Sequence, residues 1–560
     1  MRFVINKPNV SEGEAKSLLL SPREKISVDI ETVSLENRLP LGIAIAVSPD
    51  SGFYFFNPED ELLGIIPQTP VVLFQNAKFD IPILKKLGWG IQHYEDTNIL
   101  AYSAGILENS LNMLSQSILY RDCPSVTSQW RKKNQGNIGI DHVKLAGISI
   151  IHACNTYALW DKLPKIPLYY EIDKPCIELL IEMEEWGLTI DQYMLTQVEQ
   201  ATMVKALQLE QELKQELGQI NLASNPQIVK ALQSKGIIGT RKTKGGAESV
   251  SEESLRPLKN PLTDKLLEYR GEMKTITTYV PAFRNTDNNG RIHTDFGNTD
   301  TGRWKSSNPN LQNISRNDLR KCIVSPCGYS FICLDANQIE LRVISILSQD
   351  PLLLEALKTE DLHMTTAIQV FGWTEDKEVM TKRRYNAKQG NFAIIYGADE
   401  FRIAELLGMS VPEAQEWLSV YFSKYKVLDR WIKSIKKQAK EDGYVVNMFG
   451  RIRPLPELSG GSWKIREKAE REAVNTICQG TAVDIVKKIM LYLKEILNPE
   501  VRLVLQVHDE ILLEVPDRLV QETLKKSKEL ALVFPDYPVS ISMGKCYGTL
   551  EKINNKKEEK

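Results

Sequence analysis

Residues 330–347 read SFICLDANQIELRVISIL, and this stretch decides the fold expected for the C-terminal part of the chain. Phe331 to Leu334 form a continuous apolar run, which predicts a buried strand that ends at Asp335. The apolar residues that follow recur at helical spacing, so Glu340 is expected on the first turns of a helix. Asp335 therefore lies at a strand-to-helix junction, where a carboxylate is well placed to hold a metal ion.

A second group of carboxylates lies in LVLQVHDEILLEV, residues 503–515. Two nearly continuous apolar runs flank His508, Asp509 and Glu510. The pattern predicts a β-hairpin with these three residues at its tip, because an uncovered aspartate inside so apolar a sequence would be costly. A plain polar turn is the alternative interpretation of the same pattern.

Between these groups, residues 383–397 read RRYNAKQGNFAIIYG. Two cations and then two aromatic residues recur there at every fourth position, namely Arg384, Lys388, Phe392 and Tyr396. On a helix such residues form one slowly turning stripe. The stripe suits a ligand with phosphates at one end and a flat ring at the other. The alternative is a surface helix with snorkelling basic side chains.

The N-terminal segment contains a further acidic pattern. Asp29 and Glu31 lie two apart in SVDIET, so a strand directs both side chains to the same face. Adjacent acids repel unless a cation lies between them, although a solvated pair is also common. Downstream, two i,i+4 pairs would each share a helix face: Asn76 with Asp80, and Tyr157 with Asp161.

Composition narrows the class of protein without choosing a function. The chain has 560 residues, a net charge of −2 and 42% hydrophobic residues, so more than one hydrophobic core is expected. No apolar run is long enough to cross a bilayer, and the polar start lacks the features of a signal peptide. We therefore expect a cytoplasmic protein, of a nucleoid or a phage-infected cell, with an organelle as the alternative. The eight cysteines show no zinc spacing and are expected to be reduced.

The order of predicted elements indicates an α+β multidomain chain and not a repeating βαβ array. A proline-bracketed stretch at residues 163–167 predicts a domain boundary, which gives domains at 1–165 and 166–560. The tract RKTKGG at 241–246 predicts an exposed basic loop, and the charged tail at 552–560 is expected to fray.

The N-terminal patterns D-x-E, N-x-x-x-F-D and Y-x-x-x-D stand in the order found in DEDDy-type exonucleases, which the segment resembles. The resemblance implies an RNase H-like α/β domain at 1–165 with 3′→5′ exonuclease activity. Tyr157 would help to orient the attacking water. Four carboxylates would hold two metal ions: Asp29, Glu31, Asp80 and Asp161.

The remaining segments resemble motifs A, B and C of family A DNA polymerases. Further matches are EMEEWGLTID at 182–191, TGRWKSSNPNLQNI at 301–314, DLHMTTA at 361–367, GRIRPLP at 450–456 and NTICQGTAVDIVK at 475–487. The resemblance implies a right-hand polymerase at 166–560, with a thumb near 185–300, fingers near 361–440, and a palm from 300–360 and 440–560. Primer-template DNA and deoxynucleoside triphosphates would be its substrates, with two divalent metals at each active site, Mg²⁺ or alternatively Mn²⁺.

The same resemblance implies residue roles. Asp335 and Asp509 would hold the metals, Lys388 would donate a proton to the leaving pyrophosphate, and Glu510 would be a further catalytic acid. The implied nucleotide-binding residues are Arg384, Lys388, Phe392, Tyr396, Glu340 and Gln338, with Glu340 excluding the ribose hydroxyl. The implied DNA-binding residues are Arg303, Asn475, Gln479 and His508.

Some features depart from the family pattern. Ala336 and Asn337 replace an aromatic residue and a serine in motif A, and Ala393 stands where glycine is frequent in motif B. A 5′ nuclease domain is not expected. Three alternatives remain open: a single-subunit RNA polymerase, an inactive DNA-binding scaffold, and a decayed polymerase in which only the exonuclease works. A monomer is expected, and an accessory or processivity factor, the source, and a role in replication or repair stay open.

Overall fold

The computed structural model describes residues 3–5, 21–33, 38–56, 61–125, 142–237, 242, 245–314, 318–359 and 361–553. Half of the predicted basic loop, residues 241, 243 and 244, lies outside the described residues, as does the tail from 554. Within those ranges, no helix is both long and apolar enough to cross a membrane.

The described strands are numbered in chain order. They are β1 Phe3–Ile5, β2 Lys25–Thr32, β3 Pro40–Ser48, β4 Ser51–Phe55, β5 Val71–Phe74, β6 Tyr94–Asp96, β7 Leu188–Thr189, β8 Arg291–Ile292, β9 Asp295–Asn298, β10 Trp304–Ser307, β11 Tyr329–Ala336, β12 Tyr444–Val446, β13 Ile452–Pro454, β14 Arg502–Val507, β15 Glu510–Pro516, β16 Val539–Gly544 and β17 Glu551–Lys552.

The described α-helices are numbered in the same way. They are α1 Ala77–Lys86, α2 Thr97–Ser103, α3 Leu111–Leu114, α4 His142–Lys162, α5 Pro175–Trp186, α6 Gln192–Leu217, α7 Asn225–Ser234, α8 Glu252–Leu255, α9 Pro261–Lys274, α10 Val280–Arg284, α11 Ile339–Ser348, α12 Pro351–Ala356, α13 Leu362–Phe371, α14 Lys377–Ile395, α15 Glu400–Leu407, α16 Val411–Lys424, α17 Lys426–Asp442, α18 Trp463–Ile496, α19 Val520–Lys528 and α20 Leu530–Val533.

The chain forms two compact units, and the predicted division into domains at 1–165 and 166–560 stays a prediction. The first unit comprises residues 1–181, 300–302 and 431–492, and the second comprises 182–299, 303–430 and 493–560. The boundary predicted near residue 165 thus falls inside the first unit, between α4 and α5. The subdivision into thumb, palm and fingers stays a prediction.

The first unit contains a six-stranded sheet in the order β1-β4-β3-β2-β5-β6. β2 pairs in parallel with β5, and β5 with β6, whereas the other pairs are antiparallel. On β2, Ile26, Val28 and Ile30 alternate into one buried cluster. Because side chains alternate along a strand, Asp29 and Glu31 point to the opposite face. Helix α4 packs against β2, β3 and β4.

The second unit contains a five-stranded antiparallel sheet in the order β14-β15-β11-β16-β17. β11 lies at its centre, and Phe331, Ile332 and Leu334 have no exposed surface. The predicted strand at this position is confirmed, and α11 begins shortly after it. Asp335 therefore lies near the end of a central strand, which pairs with β15 on one side and β16 on the other.

The helical block predicted from 361 to 441 is divided into α13 to α17. Three of these helices begin directly after a capping residue. The side chains of Asp376, Asp399 and Ser410 each accept a hydrogen bond from a backbone amide in the first turn of the helix that follows. Ser410 also forms a capping box with Glu413, and the preceding Gly408 has a φ of 66°. These local signals outweigh the continuous helical pattern.

Candidate active sites

Backbone pairing brings three acidic residues of the second unit to one end of its sheet. Asp335 on β11 lies directly opposite Glu510 on β15 in the antiparallel register. The backbone amide of Ala336 donates a hydrogen bond to the carbonyl of Asp509 at 3.1 Å. Residues opposite each other in such a pair have Cα atoms about 4.5 to 5.5 Å apart. Two segments far apart in the sequence thus place three acids together.

The predicted β-hairpin with its polar tip is confirmed. β14 ends at Val507, which pairs with Glu510, so His508 and Asp509 form a two-residue turn. His508 has a φ of 55°, in the left-handed region that tight hairpin turns require. The turn forces Asp509 out of the apolar sheet and toward the end of β11.

The electrostatics of this site favour a bound cation. Burial raises the pKa of Asp509, and the negative charges of Glu340 and Glu510 raise it further. Glu510 is held in place, because the Tyr547 hydroxyl donates to it at 2.6 Å and Arg320 lies 3.4 Å from it. A divalent ion would relieve the repulsion among these oxygens, so the donor set fits a hard metal.

Glu340 lies on the first turn of α11 and is 8% exposed. Its carboxylate forms an ion pair with Arg303. Gln338 caps the start of this helix with a φ of 51°. The pKa of Tyr396 is raised by burial and then by the charge of Glu340, so the tyrosine lies close to this pair. The predicted residues Arg303, Glu340 and Tyr396 are therefore neighbours.

Helix α14 carries the predicted stripe. Arg384, Lys388 and Phe392 lie on the helix, and Tyr396 caps its C-terminal end. Lys388 is exposed, as a residue that contacts a ligand must be. The helical stripe predicted from the sequence is confirmed as a structural feature, and its ligand stays a prediction.

Two residues of α13 and its cap support this stripe and were not assigned from the sequence. Arg384 Nε donates to Asp361 Oδ2 at 2.7 Å. The His363 ring lies 5.8 Å from the Phe392 ring, and burial lowers the pKa of His363 to about 4. A neutral imidazole therefore packs beside the aromatic part of the stripe. Both residues belong to the DLHMTTA segment, which was the available signal.

Two predicted DNA contacts lie elsewhere in the fold, on α18 within the first unit. Asn475 has a buried side-chain oxygen with no hydrogen-bond partner among the described residues. Gln479 is 7% exposed. The prediction that these residues contact DNA is carried into the proposal below.

The acids of the first unit form a smaller cluster with a histidine. Ligand atoms of Asp29, Glu31 and His152 all lie within 4.8 Å of one another. Ser149, on the same helix as His152, donates a hydrogen bond to Asp29 at 2.5 Å. Burial would lower the pKa of His152, but its hydrogen bond with Cys123 and the charge of Asp29 outweigh burial and raise that pKa to about 9.

Asp80 lies close to this cluster. It is 7% exposed on α1, and burial raises its pKa well above the usual carboxyl value. The charges of Asp29, Asp96 and Glu31 raise the pKa further. Three of the four predicted carboxylates are thus brought together.

Asp161 does not join them, which corrects the expectation that all the acidic segments converge. Its carboxylate forms an ion pair with Lys25 and is 49% exposed. Lys25 lies about 13 Å along β2 from Asp29. Asp161 lies about 18 Å along α4 from Ser149, which touches Asp29. Tyr157 is placed with Asp161, because the Lys25 ammonium lies 4.8 Å from its ring centroid.

His152 and Ser149 were missed by sequence reasoning. The letters Y-x-x-x-D matched at Tyr157 and Asp161, but the part of α4 that faces Asp29 lies earlier in the helix. The available signal was the spacing S-x-x-H at 149–152, which puts a hydroxyl and an imidazole on one helix face.

Residues 192–545 match the family model described as DNA polymerase family A. This match covers more than half of the chain. The chain belongs to DNA polymerase family A. Strands β11, β14, β15 and β16, the α14 stripe and the DLHMTTA segment of this family A polymerase all lie within the matched residues.

Named relatives agree with this membership. The chain is 34% identical to DNA polymerase I of Pseudomonas aeruginosa, over 67% of this chain and 43% of that protein. It is 30% identical to DNA polymerase I of Chloroflexus aurantiacus, over 90% of this chain and 58% of that protein. The chain spans about half of the length of the curated relatives that it matches.

A solved structure resembles nearly the whole chain. It is the polymerase domain of Pol1 from M. smegmatis in complex with a DNA primer-template and a deoxynucleoside triphosphate. The TM-score is 0.82 at 28% sequence identity, and the match covers 96% of this chain and 97% of that one. The mixed helix and sheet content predicted from the sequence agrees with this neighbour.

Proposed function

We propose that this family A polymerase extends a DNA primer on a template with deoxynucleoside triphosphates, in replication or repair. The observation that carries the proposal is the meeting of Asp335 and Asp509 at one end of the β11 and β15 pair. The M. smegmatis neighbour, which binds primer-template DNA and a deoxynucleoside triphosphate, supports it.

Asp335 and Asp509 would hold two divalent metal ions, Mg²⁺ or alternatively Mn²⁺. Bound there, the ions would lower the pKa of the primer 3′-hydroxyl and neutralise charge on the transferring phosphoryl group. The pKa of Asp509, raised by burial and then by the charges of Glu340 and Glu510, supports this assignment, because a bound cation would offset both effects. Glu510, fixed by Tyr547 and Arg320, adds negative potential beside the ligands.

The α14 stripe would bind the incoming nucleotide. Arg384 and Lys388 would grip the triphosphate, and Lys388 would donate a proton to the departing pyrophosphate. Phe392 would pack near the sugar and Tyr396 near the templating base. The ion pair of Arg384 with Asp361 holds the guanidinium until phosphate oxygens compete for it.

Glu340 would exclude ribonucleotides, because a buried side chain near C2′ leaves no room for a hydroxyl. Gln338, which caps the same helix, would line the nucleotide site. The remaining contacts would be donors to minor-groove acceptors, which are similar on every correct base pair and so report pairing geometry. These donors are Arg303, Asn475, Gln479 and His508.

A second candidate function is 3′→5′ exonucleolytic proofreading in the first unit. The observation that favours it is Asp80, a buried carboxylate whose pKa is raised partly by Asp29 and Glu31. Three acids in mutual repulsion, two of them on the interior strand β2, would attract divalent metals, which supply a nucleophilic water and stabilise the leaving oxygen.

Primer extension on a labelled primer-template with Mg²⁺ tests both activities. We expect wild type to lengthen the primer, and Asp509→Ala to reduce extension by about 10³-fold or more, because a metal ligand is lost. Without deoxynucleotides, wild type should shorten the primer, and Asp29→Ala should not. Asp442→Asn, at an exposed helix end, serves as the matched control and should behave as wild type.

Each proposal has its own contradicting result. A wild-type protein that shortens primers but never lengthens them would exclude the polymerase proposal. A protein that extends primers but leaves them intact without deoxynucleotides would exclude proofreading.

A further inference from the structure

We propose that His152, and not Asp161, completes a metal site with Asp29 and Glu31, and that this site takes a first-row transition-metal dication. The inference deepens the proposed exonuclease function, on which its catalytic use rests. It differs from the four-carboxylate set that the sequence pattern implied.

The spacing of the ligand atoms fits one shared ion. His152 Nδ1 lies 3.8 Å from Asp29 Oδ2, which is too long for a hydrogen bond. Two ligands that each lie about 2.1 Å from a metal ion are separated by at most about 4.2 Å. The 4.8 Å span of Asp29, Glu31 and His152 is close to this limit, so a small inward movement brings all three to one ion.

The hydrogen bonds around the cluster orient its ligands. His152 Nε2 lies 2.7 Å from the carbonyl oxygen of Pro124. A carbonyl oxygen only accepts, so Nε2 carries a proton, and Nδ1, which faces the carboxylates, gives up any proton that it holds when it binds a metal ion. Metal-binding histidines usually donate their other ring N–H to a carbonyl or carboxylate in this way. The Ser149 hydroxyl orients Asp29 from the same helix.

Asp80 gives independent support. Asp80 is only 7% exposed, and its carboxylate lies close enough to both acids of the cluster to feel their charge. Burying three acids together is costly unless a cation compensates them. Asp161 cannot share that cation, because it is paired with Lys25 about 13 Å along β2 from Asp29.

The donor set selects the class of metal. Oxygen-only sites suit Mg²⁺, whereas an imidazole ligand favours first-row transition metals such as Fe²⁺, Ni²⁺ and Zn²⁺. The site is therefore expected to prefer a first-row transition-metal dication to Mg²⁺, and Mn²⁺ serves as its paramagnetic probe.

The test uses the full chain with Asp335→Asn and Asp509→Asn, which removes metal binding at the polymerase site. Mn²⁺ alone is the probe, with electron paramagnetic resonance to measure free ion and pulsed spectra to detect coupling to imidazole nitrogen. We expect His152→Ala to weaken Mn²⁺ binding at least about 10-fold and to abolish the nitrogen coupling. The matched variant Asp161→Asn should change binding by less than about two-fold.

Thermal melting of each variant confirms that it is folded, and His152→Gln provides a second variant of similar size. The inference is overturned if Mn²⁺ binds without coupling to nitrogen, or if Asp161→Asn weakens Mn²⁺ binding as much as Asp29→Asn does. It is also overturned if the protein with Asp29, Glu31 and His152 intact binds no Mn²⁺, because His152 would then serve only as a positive charge beside the acids. Primer shortening is measured separately with the unmodified polymerase site. Metal binding through His152 without primer shortening would exclude proofreading and leave the site itself standing.

Discussion

The size and the charge of the Glu340 side chain can be tested separately by substitution. It is buried on the first turn of α11 and forms an ion pair with Arg303. If bulk excludes a ribose hydroxyl, Glu340→Ala should lower the preference for deoxynucleotides, whereas Glu340→Gln keeps the bulk and removes the charge. We expect a loss of about 10- to 200-fold for alanine and less than about three-fold for glutamine. The ratio of kcat/KM for a deoxynucleotide and its ribonucleotide measures this.

The two variants also test whether the charge of Glu340, through its ion pair with Arg303, controls sugar selection. An equal loss of preference in both would mean that the ion pair with Arg303, and not the size of the side chain, controls sugar selection. Extension with deoxynucleotides alone shows whether either variant damages the site more generally.

At the residue scale, the positions of Asp335 and Asp509 in the fold were predictable from the sequence because each has a strong local signal. Asp335 ends an apolar strand, and Asp509 interrupts two apolar runs, so burial alone determines where both must emerge. Asp161 fits the Y-x-x-x-D sequence pattern, but its carboxylate pairs with Lys25 and lies away from Asp29. The part of α4 that faces β2 depends on how helix and sheet pack, which no local pattern contains.

At the scale of elements, the approach of α14 to α16 depends on one glycine. A Cβ atom at Gly390 would lie 2.1 Å from Trp417 Cη2. Gly390→Ala should therefore push the two helices apart and lower the free energy of unfolding by about 1 to 3 kcal/mol. Because α14 carries the proposed nucleotide contacts, KM for deoxynucleotides should also rise. Urea unfolding and steady-state extension measure the two effects.

Matched variants isolate the clash. Gly271, also within a helix, has nothing near its would-be Cβ, so Gly271→Ala should stabilise by about 0.5 to 1 kcal/mol. Trp417→Phe removes the atoms closest to Gly390 and should recover part of the stability lost by Gly390→Ala. Equal destabilisation by both glycine variants would show that the contact with Trp417 is not the cause.

Element boundaries were predictable only where a local signal dominates. β2, β3, β4, β11 and the β14 to β15 hairpin all lie where apolar alternation and turn residues placed them. The block from 361 to 441 reads as continuously helical, and the caps at Asp376, Asp399 and Ser410 were not recognised as breaks. A capping residue and a polar helix-surface residue look alike in sequence.

At the scale of the whole molecule, a buried ion network joins segments of the first unit that are far apart in sequence. Arg451 bonds to Asp173 at 2.8 Å and to Asp484 at 2.6 Å, and Lys487 bonds to Asp173 at 2.9 Å. None of these side chains is more than 4% exposed. The backbone at Gly302 lies close to this network, since a Cβ atom at that position would be 2.7 Å from Arg451 Nε.

This network explains why the compact first unit could not be predicted. GRIRPLP and NTICQGTAVDIVK were separate motifs in the sequence, and nothing in their spacing indicates that both meet Asp173. The first unit therefore includes residues 431–492, which a boundary read from one proline-rich stretch assigns elsewhere.

Because of this network, the free energy of unfolding should decrease as the pH falls into the acidic range. Burial alone would raise the pKa of Asp173, but Arg451 and Lys487 outweigh burial and hold it well below the usual value. Stability from a depressed carboxyl pKa is present above the unfolded value of about 3.9 and is lost as pH falls toward the folded one. Asp173→Asn should cost about 3 to 5 kcal/mol at pH 7, because it leaves buried cations under-compensated.

The difference in stability between wild type and Asp173→Asn should then narrow as pH falls from 5 to 3, since in this range the unfolded wild-type chain takes up a proton at Asp173 and the folded protein does not. Urea unfolding midpoints at pH 7, 5, 4 and 3 measure this difference, with the exposed Glu457→Gln as the matched control. A constant difference across this range would mean that Asp173 contributes through packing and not through its charge. A difference that widens with acid would contradict the direction of the pKa shift and with it the dominance of Arg451 and Lys487 over burial.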